Sequence, residues 1–182
     1  MSIYIRNIAQ ITCQQPLCDE WLTNPIVPSR RLEATIDPDF KPFIPPMQAR
    51  RMGALLKRAI SSAKQAVAED ERPTLDGILT GTGLGCIYNT ELFLRAMLNE
   101  GESGLSPSHF MQSTHNTISS QIAIDFKCHN YNVTYSHRGT SFDSALFNAV
   151  LKFETGDFHH ALVCGVDEMN EGYFQLLEQA GY

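Results

Sequence analysis

Apolar residues recur along the chain at two spacings, and each spacing predicts a type of secondary structure. Steps of three and four residues indicate helices with one apolar face. Four stretches show this pattern: residues 46–69, 92–101, 113–126 and 142–156. Ser113 is in position to cap the third helix, and Thr140 and Asp143 have the spacing of a capping box for the fourth.

Short apolar or alternating runs predict four strands, at residues 2–12, 75–80, 132–136 and 161–165. Strands that alternate with helices of this length indicate a layered α/β fold with a largely parallel sheet. Residues 13–46 contain seven prolines and no periodicity, so we expect an irregular excursion over the surface. The 182 residues are therefore expected to form one domain.

Composition narrows the class of protein. Hydrophobic residues make up 43% of the chain and charged residues 19%, which is typical of a soluble globular domain. No apolar run approaches the roughly 18 residues of a membrane span, and the N-terminus lacks the apolar core of a signal peptide, so we expect a cytoplasmic protein. The five cysteines have no C-x-x-C spacing and the histidines no ligand spacing. We therefore expect neither a metal nor a cofactor.

Charge is unevenly distributed. The net charge of −6 argues against nucleic-acid binding. Between residues 41 and 68, however, there are six basic residues and no acidic one. This stretch is either a solvated helix face or a docking surface for an acidic partner.

Parallel sheets place their chemistry where strands end, which directs attention to two turns. The first, residues 81–85, reads Gly-Thr-Gly-Leu-Gly, but Cys86 stands where a dinucleotide fingerprint needs glycine. A sharp turn out of a strand explains these glycines. A nucleotide-binding module at this loop remains an alternative.

The second turn, residues 136–142, joins a strand to an amphipathic helix, a layout that can present a nucleophile. A hydrolase elbow requires G-x-S-x-G, and here Asp143 replaces the second glycine after Gly139 and Ser141. His137 is adjacent in sequence and is expected to face another way. A serine hydrolase or acyltransferase that uses Ser141 remains an alternative to a simple helix cap.

The segment NVTYSHRGTSFDSALFNAVLKFETGDFHHALVCGVDE resembles the strand, nucleophile turn, helix and strand of the β-ketoacyl synthases of the thiolase superfamily. ILTGTGLG is similar to the family's first strand and glycine loop. SPSHFMQSTHNTISSQIAIDF and PPMQARRMGALLKR resemble a subgroup, the chain-length-factor-like proteins of pigment and aryl-polyene clusters. The resemblance covers about residues 45–170 and implies the N-terminal half of a thiolase-like α/β/α layered fold.

The resemblance also implies a departure in chemistry. It places Gly139, flanked by His137 and Arg138, where the family carries its nucleophilic cysteine. Glycine cannot hold an acyl thioester, so these three residues are expected to mark a relic site. The family's two catalytic histidines come from a second half of the fold that this chain does not include. We therefore expect a subunit that does not catalyse condensation by itself.

Partners follow from the same resemblance. The chain is expected to pair with an active ketosynthase, or with a second copy of itself, and to help receive acyl carrier protein during fatty-acid or polyketide extension. Half of a pseudo-twofold fold leaves a sheet edge and apolar helix faces uncovered, which favours association. The candidate carrier-protein contact is basic: Arg50, Arg51, Lys57 and Arg58.

Overall fold

The computed structural model describes residues 2–18, 21, 23–29 and 31–182. Its helices and strands are, in chain order, α1 (Pro46–Ala49), α2 (Ala54–Ala66), β1 (Gly77–Gly81), α3 (Ile87–Glu100), α4 (Pro107–Ser113), α5 (Thr117–Phe126), β2 (Tyr131–Tyr135), α6 (Ser141–Glu154), β3 (Ala161–Gly165) and α7 (Glu171–Gln179). Short 3₁₀ turns occupy Arg72–Thr74, Glu102–Gly104 and Arg138–Thr140.

The three strands form one parallel sheet in the order β2-β1-β3. Gly77 at the start of β1 lies opposite Tyr131 on one side and Ala161 on the other. All five residues of β1 are buried, because this strand has a neighbour on each edge and helices on each face. The predicted parallel sheet is therefore confirmed, with β3 at its predicted bounds.

Helices cover both faces of the sheet. Ile78 belongs to a core formed with α2 and α5, and the next residue, Leu79, to a core formed with α6. Successive strand residues point to opposite faces, so a continuous apolar run such as β1 is the pattern of a strand buried on both sides. The result is a three-layer α/β/α arrangement.

The first predicted helix is interrupted in the structure. Residues 50–53 separate α1 from α2, so the prediction of one helix over residues 46–69 is wrong in its first half. Gly53 precedes α2, and a Cβ at this glycine would lie 2.9 Å from Nδ2 of Asn89 in α3. The break at Gly53 thus allows α3 to approach the chain closely.

Two predicted helix caps are also wrong. Ser113 ends α4, where its hydroxyl donates to the carbonyl of Phe110, and α5 begins after Asn116. The hydroxyl of Thr140 donates to the carbonyl of His137 and does not cap α6. In both cases the hydroxyl bonds to a carbonyl three residues earlier, a local alternative to capping.

Residues 2–12 do not form the predicted strand. Tyr4 and Ile5 are 83% and 82% exposed, so neither face of this alternating segment is covered. Thr12 accepts a hydrogen bond from the amide of Ile36 at 2.9 Å. Alternation produces a strand only when a sheet edge receives it, and within the described residues no edge does. Residues 13–45 contain no helix or strand where the structure describes them; positions 19, 20, 22 and 30 of the Pro-rich excursion lie outside the described residues.

Candidate functional site

The two turns singled out in the sequence lie side by side at the carboxyl end of the sheet. A Cβ at Gly81 would lie 2.5 Å from the Cα of Phe142, and one at Gly83 would lie 2.8 Å from the carbonyl oxygen of Arg138. No side chain larger than hydrogen fits at either glycine without moving the second turn, residues 136–142, which we call the α6 turn. These glycines therefore permit the close approach of two backbones, in agreement with the expectation that they allow a sharp turn out of β1.

The α6 turn is held by Ser141. Its hydroxyl donates to the carbonyl of Arg138 at 2.6 Å and accepts from the amide of His137 at 2.9 Å. Ser141 is only 2% exposed. The imidazole Nδ1 of His137 lies 2.9 Å from the hydroxyl of Ser144 instead. Ser141 is thus a structural residue: among the described residues its hydroxyl bonds to backbone groups and to no general base, which argues against the hydrolase alternative.

Arg138 and Gly139 form the tip of this turn. Arg138 has φ 55°, the left-handed conformation that ordinary residues adopt only when their surroundings impose it. Gly139, by contrast, does not have a positive φ, and nothing lies within 4 Å of a Cβ built on it. The backbone therefore does not require glycine at position 139, and a side chain would point into open space.

The glycine loop, residues 81–85, is held by an acidic residue, Asp167, that was not among the site residues predicted from the sequence. The Asp167 carboxylate, two residues after β3, accepts hydrogen bonds from the Thr82 hydroxyl at 3.0 Å and from the amides of Gly83 and Leu84 at 2.9 and 2.8 Å. The amide of Gly85 donates to Thr82. The donors that would bind a phosphate are thus occupied by the protein's own carboxylate. This arrangement argues against the nucleotide alternative.

Glu168, the residue after Asp167, lies at the start of α3. Its carboxylate accepts from the amide of Tyr88 at 3.0 Å. Burial raises the pKa of Glu168, and the Tyr88 amide and the charge of Arg58 oppose that shift without cancelling it. Burial also raises the pKa of the Cys86 thiol to about 12, with a smaller contribution from the charge of Glu168. Although Cys86 directly precedes α3, it is only 2% exposed and stays protonated.

The other thiols near the sheet are equally unsuited to attack. Desolvation raises the pKa of Cys164 to about 12, although the residue as a whole is half-buried. Cys128 donates to the carbonyl of Leu75 at 3.4 Å, before β1 begins. Neither lies at the N-terminus of α6, where a helix dipole would stabilise a thiolate.

The four basic candidates have different environments. Arg58 forms a bidentate ion pair with Asp37, with N–O distances of 2.6 and 2.9 Å. The hydrogen bond to Asp37 raises the pKa of Arg58. Lys57 is half-buried. Arg50 and Arg51 are exposed, and within the described residues neither forms an ion pair. The structure therefore separates two accessible arginines from one that anchors the Pro-rich segment.

Where the chain is described, no three His, Cys, Asp or Glu side chains gather closely enough to hold a metal ion. His109 lies 3.3 Å from the amide oxygen of Asn89, and the backbone amides of His159 and His160 donate to Asp76. No helix in the described part of the chain combines the length and apolarity needed to cross a membrane.

A parallel sheet with helices on both faces, and a strand–turn–helix that presents residues 137–139, define an α/β protein of the thiolase-like class, represented here by its N-terminal half. The family described as "Beta-ketoacyl synthase, N-terminal domain" matches residues 19–182. The chain therefore belongs to the β-ketoacyl synthase N-terminal domain family. No curated protein sequence matches it.

Three solved structures are similar to the chain. A complex of a type II polyketide synthase acyl-carrier protein with its ketosynthase bound to the hexaketide (AntDE:AntF) has a TM-score of 0.68 at 15% identity, over 80% of this chain and 44% of that one. The ketosynthase ApeO in complex with its chain length factor ApeC from Xenorhabdus doucetiae has a TM-score of 0.67 at 21% identity, over 97% of this chain and 72% of that one. The ishigamide ketosynthase/chain length factor has a TM-score of 0.67 at 21% identity, over 79% of this chain and 42% of that one.

These likenesses establish the fold. The chain spans less than half the length of the matched chains in the first and third structures, and about 72% of that in the second.

Proposed function

We propose that the chain is a non-catalytic, chain-length-factor-like subunit that pairs with an active ketosynthase in polyketide or fatty-acid extension, of the aryl-polyene or related pigment type. One observation carries the proposal: Gly139 stands at the tip of the α6 turn, where the family resemblance places the nucleophilic cysteine. His137 and Arg138 would then be the remains of that site.

The candidate nucleophiles next to the two turns are poorly suited to attack where the structure describes them, which supports the proposal. The Ser141 hydroxyl is committed to two backbone hydrogen bonds, and the Cys86 and Cys164 thiols have raised pKa values. Open space beside Gly139 means that the fold tolerates a side chain there. Loss of the thiol is therefore a change in chemistry that the backbone did not demand.

Exposed apolar surface supports pairing. The α6 helix exposes four large apolar side chains, Phe142, Leu146, Phe147 and Leu151. Within the described residues, β2 has a neighbouring strand on one edge only. An open strand and an adjacent apolar helix face form a surface that proteins normally cover. Two of the similar structures are named as ketosynthases with chain length factors.

Of the four basic residues expected to contact the carrier protein, we retain Arg50 and Arg51 in the proposal. Both are exposed, whereas Arg58 is engaged by Asp37. Exposed arginines suit an acidic partner, since charge complementarity raises the association rate. One similar structure is named as a carrier protein bound to its ketosynthase.

The proposal is tested by incubating the chain with acyl and malonyl carrier proteins, alone and with its cognate ketosynthase, and recording intact mass and products. We expect no acyl adduct on the chain, and products only when the ketosynthase is present. A Gly139→Cys variant serves as a control for access to the turn, because its thiol should react with iodoacetamide faster than the buried Cys86 and Cys128. An acyl adduct on the wild-type chain would overturn the proposal.

Pairing is tested separately by co-purification with the ketosynthase. Phe147→Asp, on the exposed face of α6, should abolish co-purification. Ile124→Asp, equally exposed but on α5, should leave it intact. A wild-type chain that stays monomeric beside a folded ketosynthase would contradict the pairing.

A further inference from the structure

A cavity of about 420 Å³ lies between the Pro-rich segment and the carboxyl end of α2. Its walls are the turn at residues 41–45, together with Lys64, Glu69 and Arg72. This volume is within the range of pockets that hold small molecules, about 300–1,000 Å³. The cavity lies beside the segment that leads into the amino end of β1, whereas the α6 turn lies at the carboxyl end of the sheet. It is therefore separate from the candidate site described above.

One wall of the cavity is a rigid turn. The amides of Phe43 and Ile44 donate to the carbonyl of Phe40 at 3.0 and 2.9 Å, and Ile44 is only 1% exposed. Pro42 and Pro45 fix the backbone dihedral φ on either side of these two residues. Because the turn is already ordered, binding a ligand against it costs little conformational entropy.

Arg72 forms another part of the wall and is held by three contacts. Its Nε and Nη2 donate to the carbonyls of Val67 and Lys64, both at 3.1 Å, and its guanidinium lies 5.3 Å from the ring centroid of Phe126. These three partners are uncharged. Arg72 is half-buried, yet it forms no ion pair within the described residues. A half-buried positive charge without a counterion is unfavourable, and an anion in the cavity would neutralise it.

The charge of Lys64, by contrast, is already neutralised. Its side chain is only 14% exposed, and Nζ lies 2.7 Å from a carboxylate oxygen of Asp125. Nζ also donates to the carbonyl of Phe43 at 2.7 Å, which ties α2 to the turn. Lys64 therefore fixes two walls of the cavity relative to each other and adds no net charge.

The remaining charges of the lining give a positive balance. Lys41 and Glu69 are exposed, and neither forms an ion pair where the chain is described. Lys41 and Arg72 against Glu69 leave a net charge of one positive unit. The Asp39 carboxylate accepts from the amide of Lys41 at 3.1 Å and does not line the cavity. The lining thus favours an anion, and Glu69 is the lining group that opposes it.

We propose that this cavity binds the oxyanion group, a carboxylate or a phosphate, of a small molecule. Oxygens of the group accept from the guanidinium of Arg72 and from Nζ of Lys41, and the proline and phenylalanine side chains of the turn cover the rest of the ligand. An arginine fork in a fixed orientation suits both oxyanions. Such a ligand bridges the Pro-rich segment and the chain that leads into β1, so its binding stabilises the fold.

Thermal unfolding and isothermal titration calorimetry of the chain alone test the inference, with inorganic phosphate and acetate as probes and chloride at matched ionic strength as the baseline. We expect saturable stabilisation by at least one probe, with a Kd on the order of millimolar, because the probes have few atoms. A preference of more than about threefold for phosphate would identify the source of the group as a phosphate ester, and the reverse preference a carboxylic acid.

Two substitutions in the lining should change the affinity in opposite directions. Lys41→Gln should raise the Kd of the preferred probe roughly fivefold, because it removes a positive charge, and Glu69→Gln should lower it by a similar factor, because it removes the negative one. Arg51→Gln, equally exposed and unpaired in the described part of the chain but outside the cavity, is the matched control and should leave Kd unchanged. Circular dichroism confirms that each variant is folded.

A chain that neither probe saturates would overturn the inference. A loss of affinity in Arg51→Gln as large as that in Lys41→Gln would also overturn it, since general charge attraction would then explain the binding. The same conclusion would follow from a Kd that Glu69→Gln leaves unchanged or raises. Because no ketosynthase or carrier protein is present, failure of the proposed pairing cannot produce any of these outcomes.

Discussion

The carbonyl oxygen of Arg138 lies 2.8 Å from the position that a Cβ on Gly83 would take. Two turns far apart in sequence are therefore in backbone contact at the carboxyl end of the sheet. Arg138 adopts φ 55° at this contact. Packing against the glycine loop, together with the Ser141 hydroxyl bond to the Arg138 carbonyl, explains how a non-glycine residue is held in that conformation.

A matched pair of glycine substitutions tests this contact. Gly81→Ala should destabilise the fold by about 3 kcal/mol, because its Cβ would meet the backbone of residues 141 and 142 with no room to shift. Gly139→Ala should change stability by less than about 0.5 kcal/mol, since its Cβ meets nothing. Urea unfolding of both variants provides the measurement. Equal losses in the two variants would contradict the described packing.

Removal of the Asp167 carboxylate should loosen the glycine loop. Asp167→Ala loses the partner of one hydroxyl and two amides, and the expected cost is about 1 kcal/mol because this carboxylate is solvent-exposed. Hydrogen exchange should show faster exchange at the amides of Gly83 and Leu84 and unchanged exchange in β2. Uniformly faster exchange throughout the chain would indicate global destabilisation instead.

The local spacing of apolar residues predicted most of the helices and strands that form the layered core. The β3 strand coincides with its predicted bounds because its apolar run begins directly after His159 and His160 and pairs with β1 along its whole length. Residues 2–12 alternate in their first half but join no strand, since a strand also needs an edge to join. Pairing between distant segments is a property of the sheet and is not encoded in local periodicity.

Contacts between distant segments also explain which features of the candidate site could not be predicted from the sequence. The sequence identified both turns, because glycines and strand–helix junctions are local features. It could not reveal that Asp167 accepts from residues 82–84, since the two segments are about 80 positions apart and meet only through the β1–β3 pairing. It also grouped Arg58 with Arg50 and Arg51, because the partner that distinguishes Arg58, Asp37, lies in a segment without periodicity.

Ser141→Ala separates a structural role from a catalytic one. Losing the hydroxyl leaves the His137 amide without its partner and removes one of the two hydrogen bonds that the Arg138 carbonyl accepts, the other being from the Ser141 amide, which should cost about 1–2 kcal/mol. The wild-type chain should not be labelled by a fluorophosphonate, because the hydroxyl is buried and lacks a base. Calorimetry and labelling check the two expectations independently. Labelling that disappears in Ser141→Ala would restore the hydrolase alternative.

Glu168 should make stability depend on pH in a defined direction. Burial raises its pKa in the folded state, so between the ordinary carboxyl value and the raised value the folded protein binds more protons than the unfolded chain. Stability therefore falls as pH rises through that interval and levels off above it. Glu168→Gln removes this dependence, so wild type should lose stability relative to the variant as pH rises from 4.5. Urea unfolding of both proteins across this range measures the difference. A difference that stays constant, or a wild type that gains stability relative to the variant as pH rises, would contradict the burial of the Glu168 carboxylate.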